Sequence, residues 1–234
     1  MRIAVTRPQA DGERTAANLR ARGHDVLLAP LMRVEPVAAD LGRGWAAVVV
    51  TSANAPGAIA DHPAHNALIA LPVYAVGRRS AEAARTAGFA DVTTAGGDVR
   101  DLVRLIVERR ADAKGPLLYL AGEDRAADLI GELTVHGIAS EMRVVYRAAP
   151  APYPPALVAA LQAGEVDAVL HFSKRSADSY LSGARDAGVT AEALAPRQLC
   201  LSAQVAAPLQ QAGATHVAVA RRPDEAALID LVGA

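Results

Sequence analysis

The chain has 234 residues, 52% of them apolar, 21% charged and 3% aromatic, with a formal net charge of −1. This is globular usage, so extended disorder is excluded, as is a global basic field that would draw nucleic acid or an anionic membrane. So few aromatic rings also argue against the stacking platforms that single-stranded nucleic acid needs.

In chain order, a short apolar run repeatedly ends in a polar turn and is followed by an Ala-rich segment with helical spacing. Ile3-Ala4-Val5 leads into Thr6-Arg7-Pro8, and Val48-Val49-Val50 into Thr51-Ser52-Ala53-Asn54. Val73 to Val76 leads into Gly77-Arg78-Arg79-Ser80, and Leu117 to Ala121 into Gly122-Glu123-Asp124-Arg125. Ala168 to Phe172 leads into Ser173-Lys174-Arg175-Ser176, Leu199 to Leu201 into Ser202-Ala203-Gln204, and Val217 to Ala220 into Arg221-Arg222-Pro223-Asp224. Gly23, Gly88, Gly137, Gly188 and Gly213 each close a helical stretch, where glycine tolerates the left-handed cap. Strands alternating with helices need crossover connections, so the fold class is α/β with parallel sheets.

About ten strand candidates exceed the usual four to six of one sheet, which favours two sheets of five over a single sheet of ten. Pro30 and Pro36 bracket an extended segment with no helix after it, and Pro150, Pro152, Pro154 and Pro155 follow Val144 to Arg147 in the same way. Both stretches read as linkers, because proline pushes its predecessor toward extended geometry. The piece before the first linker holds two strands and the piece after the second holds three. Together they make five, so residues 1–33 plus 151–234 are expected to form a discontinuous domain. Residues 37–146 are then an inserted domain, with linkers at about 31–37 and 144–152.

Ligands of open parallel sheets bind beyond the carboxyl ends of the strands, where these polar turns emerge. Each turn opens a helix whose first amides lack partners and carry the positive end of the dipole. Thr6, Ser52, Ser80, Ser173 and Ser202 could serve there as helix caps or as ligand contacts. Arg7, Arg78, Arg79, Arg125, Lys174, Arg175, Arg221 and Arg222 crowd the same turns, where cations oppose the dipole. That concentration points to an anion carrying several carboxylates or phosphates.

Other chemistries are missing. There is no Walker loop, no Gly-x-Gly-x-x-Gly after the first strand, and no Gly-x-Ser-x-Gly elbow. The six histidines show no metal spacing, and His62 and His65 read as loop-surface residues. Cys200, the single cysteine, cannot form an intramolecular disulfide and reads as an inert buried thiol. The start, Met1 to Pro8, turns polar too soon for a signal peptide, and no apolar run spans a bilayer, so a soluble cytoplasmic protein is expected.

Val5-Thr6-Arg7-Pro8, the Val50-Thr51-Ser52-Ala53-Asn54-Ala55 block and Ala75-Val76-Gly77-Arg78-Arg79-Ser80-Ala81 together resemble the uroporphyrinogen-III synthase family. Leu118-Tyr119-Leu120-Ala121-Gly122, Val144-Val145-Tyr146 and Phe172-Ser173-Lys174-Arg175-Ser176-Ala177 extend the resemblance over essentially the whole chain. It implies two flavodoxin-like parallel-sheet domains, one inserted in the other and joined by a two-stranded linker. It further implies closure of the linear tetrapyrrole hydroxymethylbilane to uroporphyrinogen III, with loss of water and inversion of ring D, through an azafulvene and a spiro intermediate. No metal and no organic cofactor are implied. The implied partners are the tetrapyrrole polycarboxylate itself and hydroxymethylbilane synthase upstream, with no nucleic acid, no membrane and a monomeric chain.

By the same resemblance Tyr146 assists water loss from the linker; packing of an amphipathic tyrosine is the alternative. Thr6, Arg7, Thr51, Ser52, Asn54, Gly77, Ser80, Ser173, Lys174, Ser176 and Ser202 would bind carboxylates or shape the site. Ser80 stands where threonine is common in the family. Gln204 and Val205 stand where some members carry hydroxyls, so no role passes to them. The residues alone also admit a two-lobed, non-catalytic binder of an anionic metabolite, or a short nucleotide-sugar transferase.

Overall fold

The computed structural model describes residues 1–42, 44–109, 115–124 and 128–233. Arg125 of the predicted turns lies outside them. The chain opens with β1 (Arg2–Val5), α1 (Gln9–Ala21), β2 (Asp25–Leu28) and β3 (Met32–Pro36). There follow β4 (Ala47–Val50), α2 (Asn54–Ala58), α3 (His65–Leu68), β5 (Val73–Ala75), α4 (Arg78–Thr86), β6 (Val92–Thr94) and α5 (Val99–Arg109). Next come β7 (Leu117–Gly122), α6 (Leu129–Val135), β8 (Ser140–Pro150), α7 (Pro155–Gln162), β9 (Ala168–His171), α8 (Lys174–Asp186) and α9 (Thr190–Leu194). The chain ends with β10 (Arg197–Cys200), α10 (Ala203–Gln211), β11 (Val217–Val219) and α11 (Glu225–Asp230). None of the described helices is long and apolar enough to cross a membrane.

Two compact units result, Met1–Arg33 with Ala149–Ala234, and Val34–Ala148. The first unit holds a five-stranded sheet in the order β11-β10-β9-β1-β2, with parallel pairing throughout. Numbered along its own chain this is 2-1-3-4-5, the flavodoxin order. The other sheet has six strands in the order β3-β8-β7-β4-β5-β6. Its core of five is parallel. The sixth strand, β3, is the Pro-bracketed segment expected to be a linker. Val37 donates its amide to the Val145 carbonyl and Ala151 to the Leu31 carbonyl, so the two linker segments run in opposite directions.

Strands that are buried on both faces explain the continuous apolar runs in the sequence. Val48 and Val50 pack into one cluster and Val49 into another, as the two-residue period of a strand requires. Ile3 and Val5 likewise face one side of their sheet and Ala4 the other. Helices end where expected: Gly23, Gly88, Gly137, Gly188 and Gly213 all have positive φ, between 65° and 98°.

Candidate functional site

The second unit gathers one group of predicted residues at a single sheet edge. β8, β7, β4 and β5 are consecutive parallel neighbours, so Gly122, Thr51 and Gly77 come together at the carboxyl ends of β7, β4 and β5, with Tyr146, within β8, opposite Gly122. Thr51 Oγ1 shares a hydrogen bond of 2.8 Å with the hydroxyl of Tyr119 on β7. Ser52 Oγ accepts from the Asn54 amide at 3.2 Å, which closes the turn into α2 without capping it. Gly77 precedes α4 in an extended conformation and contributes no side chain there, so the first amides of that helix have no side-chain cap. Arg78 and Arg79 are exposed on its first turn, and Ser80 is buried beneath them. Tyr146 is half-buried on β8, with its backbone carbonyl taking the amide of Glu123.

In the first unit most of the predicted groups already have partners within the chain. Thr6 is fully buried, and its hydroxyl donates to the Leu170 carbonyl at 3.0 Å, tying β1 to β9. Arg7 pairs with Glu225 at 3.0 Å and Asp11 at 3.5 Å, and its guanidinium lies 4.0 Å over the Phe172 ring. Ser173 and Ser176 form a reciprocal capping box at the start of α8. Lys174 pairs with Asp178 at 3.0 Å, and Arg222 with Asp224 at 3.3 Å. The negative charge that the sequence argument sought beside these cations is therefore supplied, for these three, by nearby carboxylates. Ser202 differs. It opens α10 in an extended conformation and its hydroxyl does not cap the helix.

Burial holds two titratable groups of the core in their neutral forms. Burial pushes the Cys200 thiol up to about 12 and lowers His171 to about 4. His62 and His65 are not free surface side chains. His62 Nδ1 accepts from the Ala64 amide at 3.0 Å, which leaves its Nε2 to donate to the Ala39 carbonyl, and His65 Nε2 bonds the Ala87 carbonyl at 3.0 Å. Among the described residues no group of three or more His, Cys, Asp or Glu could hold a metal ion.

A family model described as uroporphyrinogen-III synthase HemD matches residues 13–230. The chain belongs to the uroporphyrinogen-III synthase family. It is thereby a lyase of tetrapyrrole and haem biosynthesis. The fold agrees with that of the uroporphyrinogen-III synthetase of Helicobacter pylori: TM-score 0.63 at 18% identity, over 99% of this chain and 98% of that one. A mutant uroporphyrinogen III synthase from Thermus thermophilus aligns at 20% identity and TM-score 0.47, over 100% and 96% of the two chains. No curated protein matches the sequence.

Two features of this uroporphyrinogen-III synthase family member escaped the sequence reading. Tyr119 partners Thr51 from 68 positions away, a contact that no local pattern announces. Phe172 and Glu225 hold Arg7, again across the sheet. Tyr153, Arg175 and Ser179 line a groove of about 600 Å³ beside α8. Arg175 is the one predicted turn cation among its lining, and none of the residues expected to bind or act on the tetrapyrrole is there.

Proposed function

We propose that the chain converts hydroxymethylbilane to uroporphyrinogen III, and that Tyr146 assists departure of the hydroxymethyl oxygen. The family match over residues 13–230 carries this reading. Tyr146 supports it locally, as a phenol opposite Gly122 at the carboxyl end of β7, on the sheet edge from which α2 and α4 start without side-chain caps.

In the proposed sequence the C–O bond of the hydroxymethyl group breaks, and the oxygen leaves as water with a proton supplied at the site. The resulting azafulvene cation takes the ring D carbon that already bears a substituent, giving a spiro centre. Fragmentation of that centre regenerates an azafulvene, which recloses at the free side of ring D and loses a proton, so the net change is loss of one water. A phenol is a weak acid and a good hydrogen-bond donor, so donation to the departing oxygen suits Tyr146 better than full proton transfer. Holding the reacting ends of a flexible bilane close together supplies several kcal/mol of the barrier, on the order of 7–11 in well-aligned systems.

Thr51, Ser52, Asn54, Gly77 and Ser80 in the second unit, and Ser202 in the first, are the contacts we assign to acetate and propionate groups. Thr6, Arg7, Ser173, Lys174 and Ser176 shape the edge of the first unit through the bonds described above. We assign the activity to a cytoplasmic monomer whose substrate is supplied by hydroxymethylbilane synthase.

The test is incubation with freshly generated hydroxymethylbilane, followed by oxidation and chromatography of the porphyrin isomers. Isomer III is expected; isomer I alone, the product of spontaneous closure, would overturn the assignment. Tyr146→Phe is expected to lower turnover by about 10²-fold with the fold intact, the low end of what a positioned proton donor contributes.

A further inference from the structure

We infer that Gly122, together with a β-bulge at Val145, is a positioning device that aims Tyr146; this rests on the role proposed above for Tyr146. In the pairing of β7 with β8, Ala121 lies opposite Val144 but Gly122 lies opposite Tyr146, so Val145 is an extra residue. Bulges are uncommon between parallel strands, and one inserted residue reverses the face to which every later side chain points. Met142 packs against the cluster on one face of the sheet, and unbroken alternation would send Tyr146 to that same face. Instead Val145 and Tyr146, although consecutive, both pack on the opposite cluster, with Val50 and Leu120.

The turned ring then needs room. A Cβ on Gly122 would stand 2.5 Å from Tyr146 Cζ and 2.7 Å from its hydroxyl oxygen, closer than side-chain atoms tolerate. Gly122 has no positive φ, so its backbone conformation does not demand glycine. What demands it is the phenol lying across it. The Glu123 amide, donating to the Tyr146 carbonyl at 3.0 Å, fixes the backbone on the far side of the bulge. The bulge sets the face to which Tyr146 points, and the absent Cβ sets how closely its hydroxyl lies to the end of β7. Gly122 touches no reacting atom in this scheme; it acts through Tyr146.

The experiment compares Gly122→Ala in the native chain and in the Tyr146→Phe background, measuring kcat and KM, with tyrosine labelled with ¹³C at Cζ for NMR. The chain has five tyrosines, and the Tyr146 signal is the one lost in Tyr146→Phe. The added methyl meets the far end of a side chain, so the ring swings away while the other four signals stay in place. Gly122→Ala is expected to move the Tyr146 signal, to lower kcat about tenfold or more with KM changed less than about twofold, and to cost less than about twofold further once Tyr146 is Phe. An unmoved Tyr146 signal, or the same kinetic loss in both backgrounds, overturns the inference. If Tyr146→Phe turns over normally, the assignment of Tyr146 to the reaction fails instead. The seat then stands only if Gly122→Ala still moves the signal without kinetic loss.

Discussion

The two units share one sheet arrangement and fill it with different chemistry. Read from β9 onward and then from β1, the first unit runs β11-β10-β9-β1-β2; the second runs β6-β5-β4-β7-β8. Both are 3-2-1-4-5, the same sheet with the chain cut at a different place. The correspondence reaches single residues. α4 and α10 have nine residues each, begin after the extended Gly77 and Ser202, and end before the left-handed Gly88 and Gly213. The registers equate Val50 with His171, since both end the central strand, and Val73 with Gln198, since they pair with Val48 and Val169 respectively.

Where the second unit buries two valines, the first buries a polar network. Gln198 Nε2 donates to the Ala193 and Pro196 carbonyls, both at 2.9 Å, so its Oε1 must accept from His171 Nε2 at 2.8 Å. The Tyr180 hydroxyl also donates to Ala193, at 2.8 Å. His171 is thereby held neutral, with a bare buried Nδ1 that has no hydrogen-bond partner. The lesson is that the sheet frame tolerates either an aliphatic or a hydrogen-bonded filling, provided the polar filling is nearly complete. At the strand ends the contrast is reversed. The second unit places the Thr51–Tyr119 hydroxyl pair where the first places Phe172 and Val5.

The largest expected effect comes from breaking the network. Gln198→Ala orphans His171 Nε2 and removes the donations to Pro196 and Ala193, of which Ala193 keeps the Tyr180 hydroxyl, and should cost about 3 kcal/mol in urea unfolding of the first unit. Importing the second unit's pattern, His171→Val with Gln198→Val, should recover more than half of that loss. A double variant no better than Gln198→Ala would mean the two frames are not interchangeable. The single tryptophan, Trp45, belongs to the second unit, so its fluorescence transition should move less than the NMR signals of Tyr153 and Tyr180, the two tyrosines of the first unit.

The next effect is on pH dependence. His171 is lowered from 6.5 to about 4 by burial, so in falling pH the unfolded chain takes up its proton first. The unfolded state then binds more protons than the folded one, and stability falls as pH drops from about 6.5 to about 4, by about 3 kcal/mol from this group. Above about 6.5 the full contribution is present. The His171→Val/Gln198→Val chain should lack this component when urea midpoints are compared at pH 7.5 and 4.5. An undiminished pH slope would show that other groups carry it.

The smallest effect is at the strand ends. Thr51→Val should lower stability of the second unit by about 1 kcal/mol, and Tyr119→Phe by a similar amount, with little further loss when combined. Full additivity would show that the 2.8 Å contact carries no coupling energy.

The sequence by itself determined the alternation of strand and helix, the glycine caps, and which turns carry hydroxyls and cations. These are local properties, written in a two- or four-residue period or in one residue's allowed φ. Only the tertiary structure decided which of those polar groups have partners in the chain. Arg7 meets Glu225 from 218 positions away and Thr6 meets Leu170 from 164, so no window along the chain could show that both are engaged. The Pro-bracketed segment expected to be a linker strand also extends the second sheet as its sixth strand, because pairing depends on what lies alongside. The place of Gly122 under Tyr146 follows from a register shift between strands, and register is fixed by packing rather than by either strand alone.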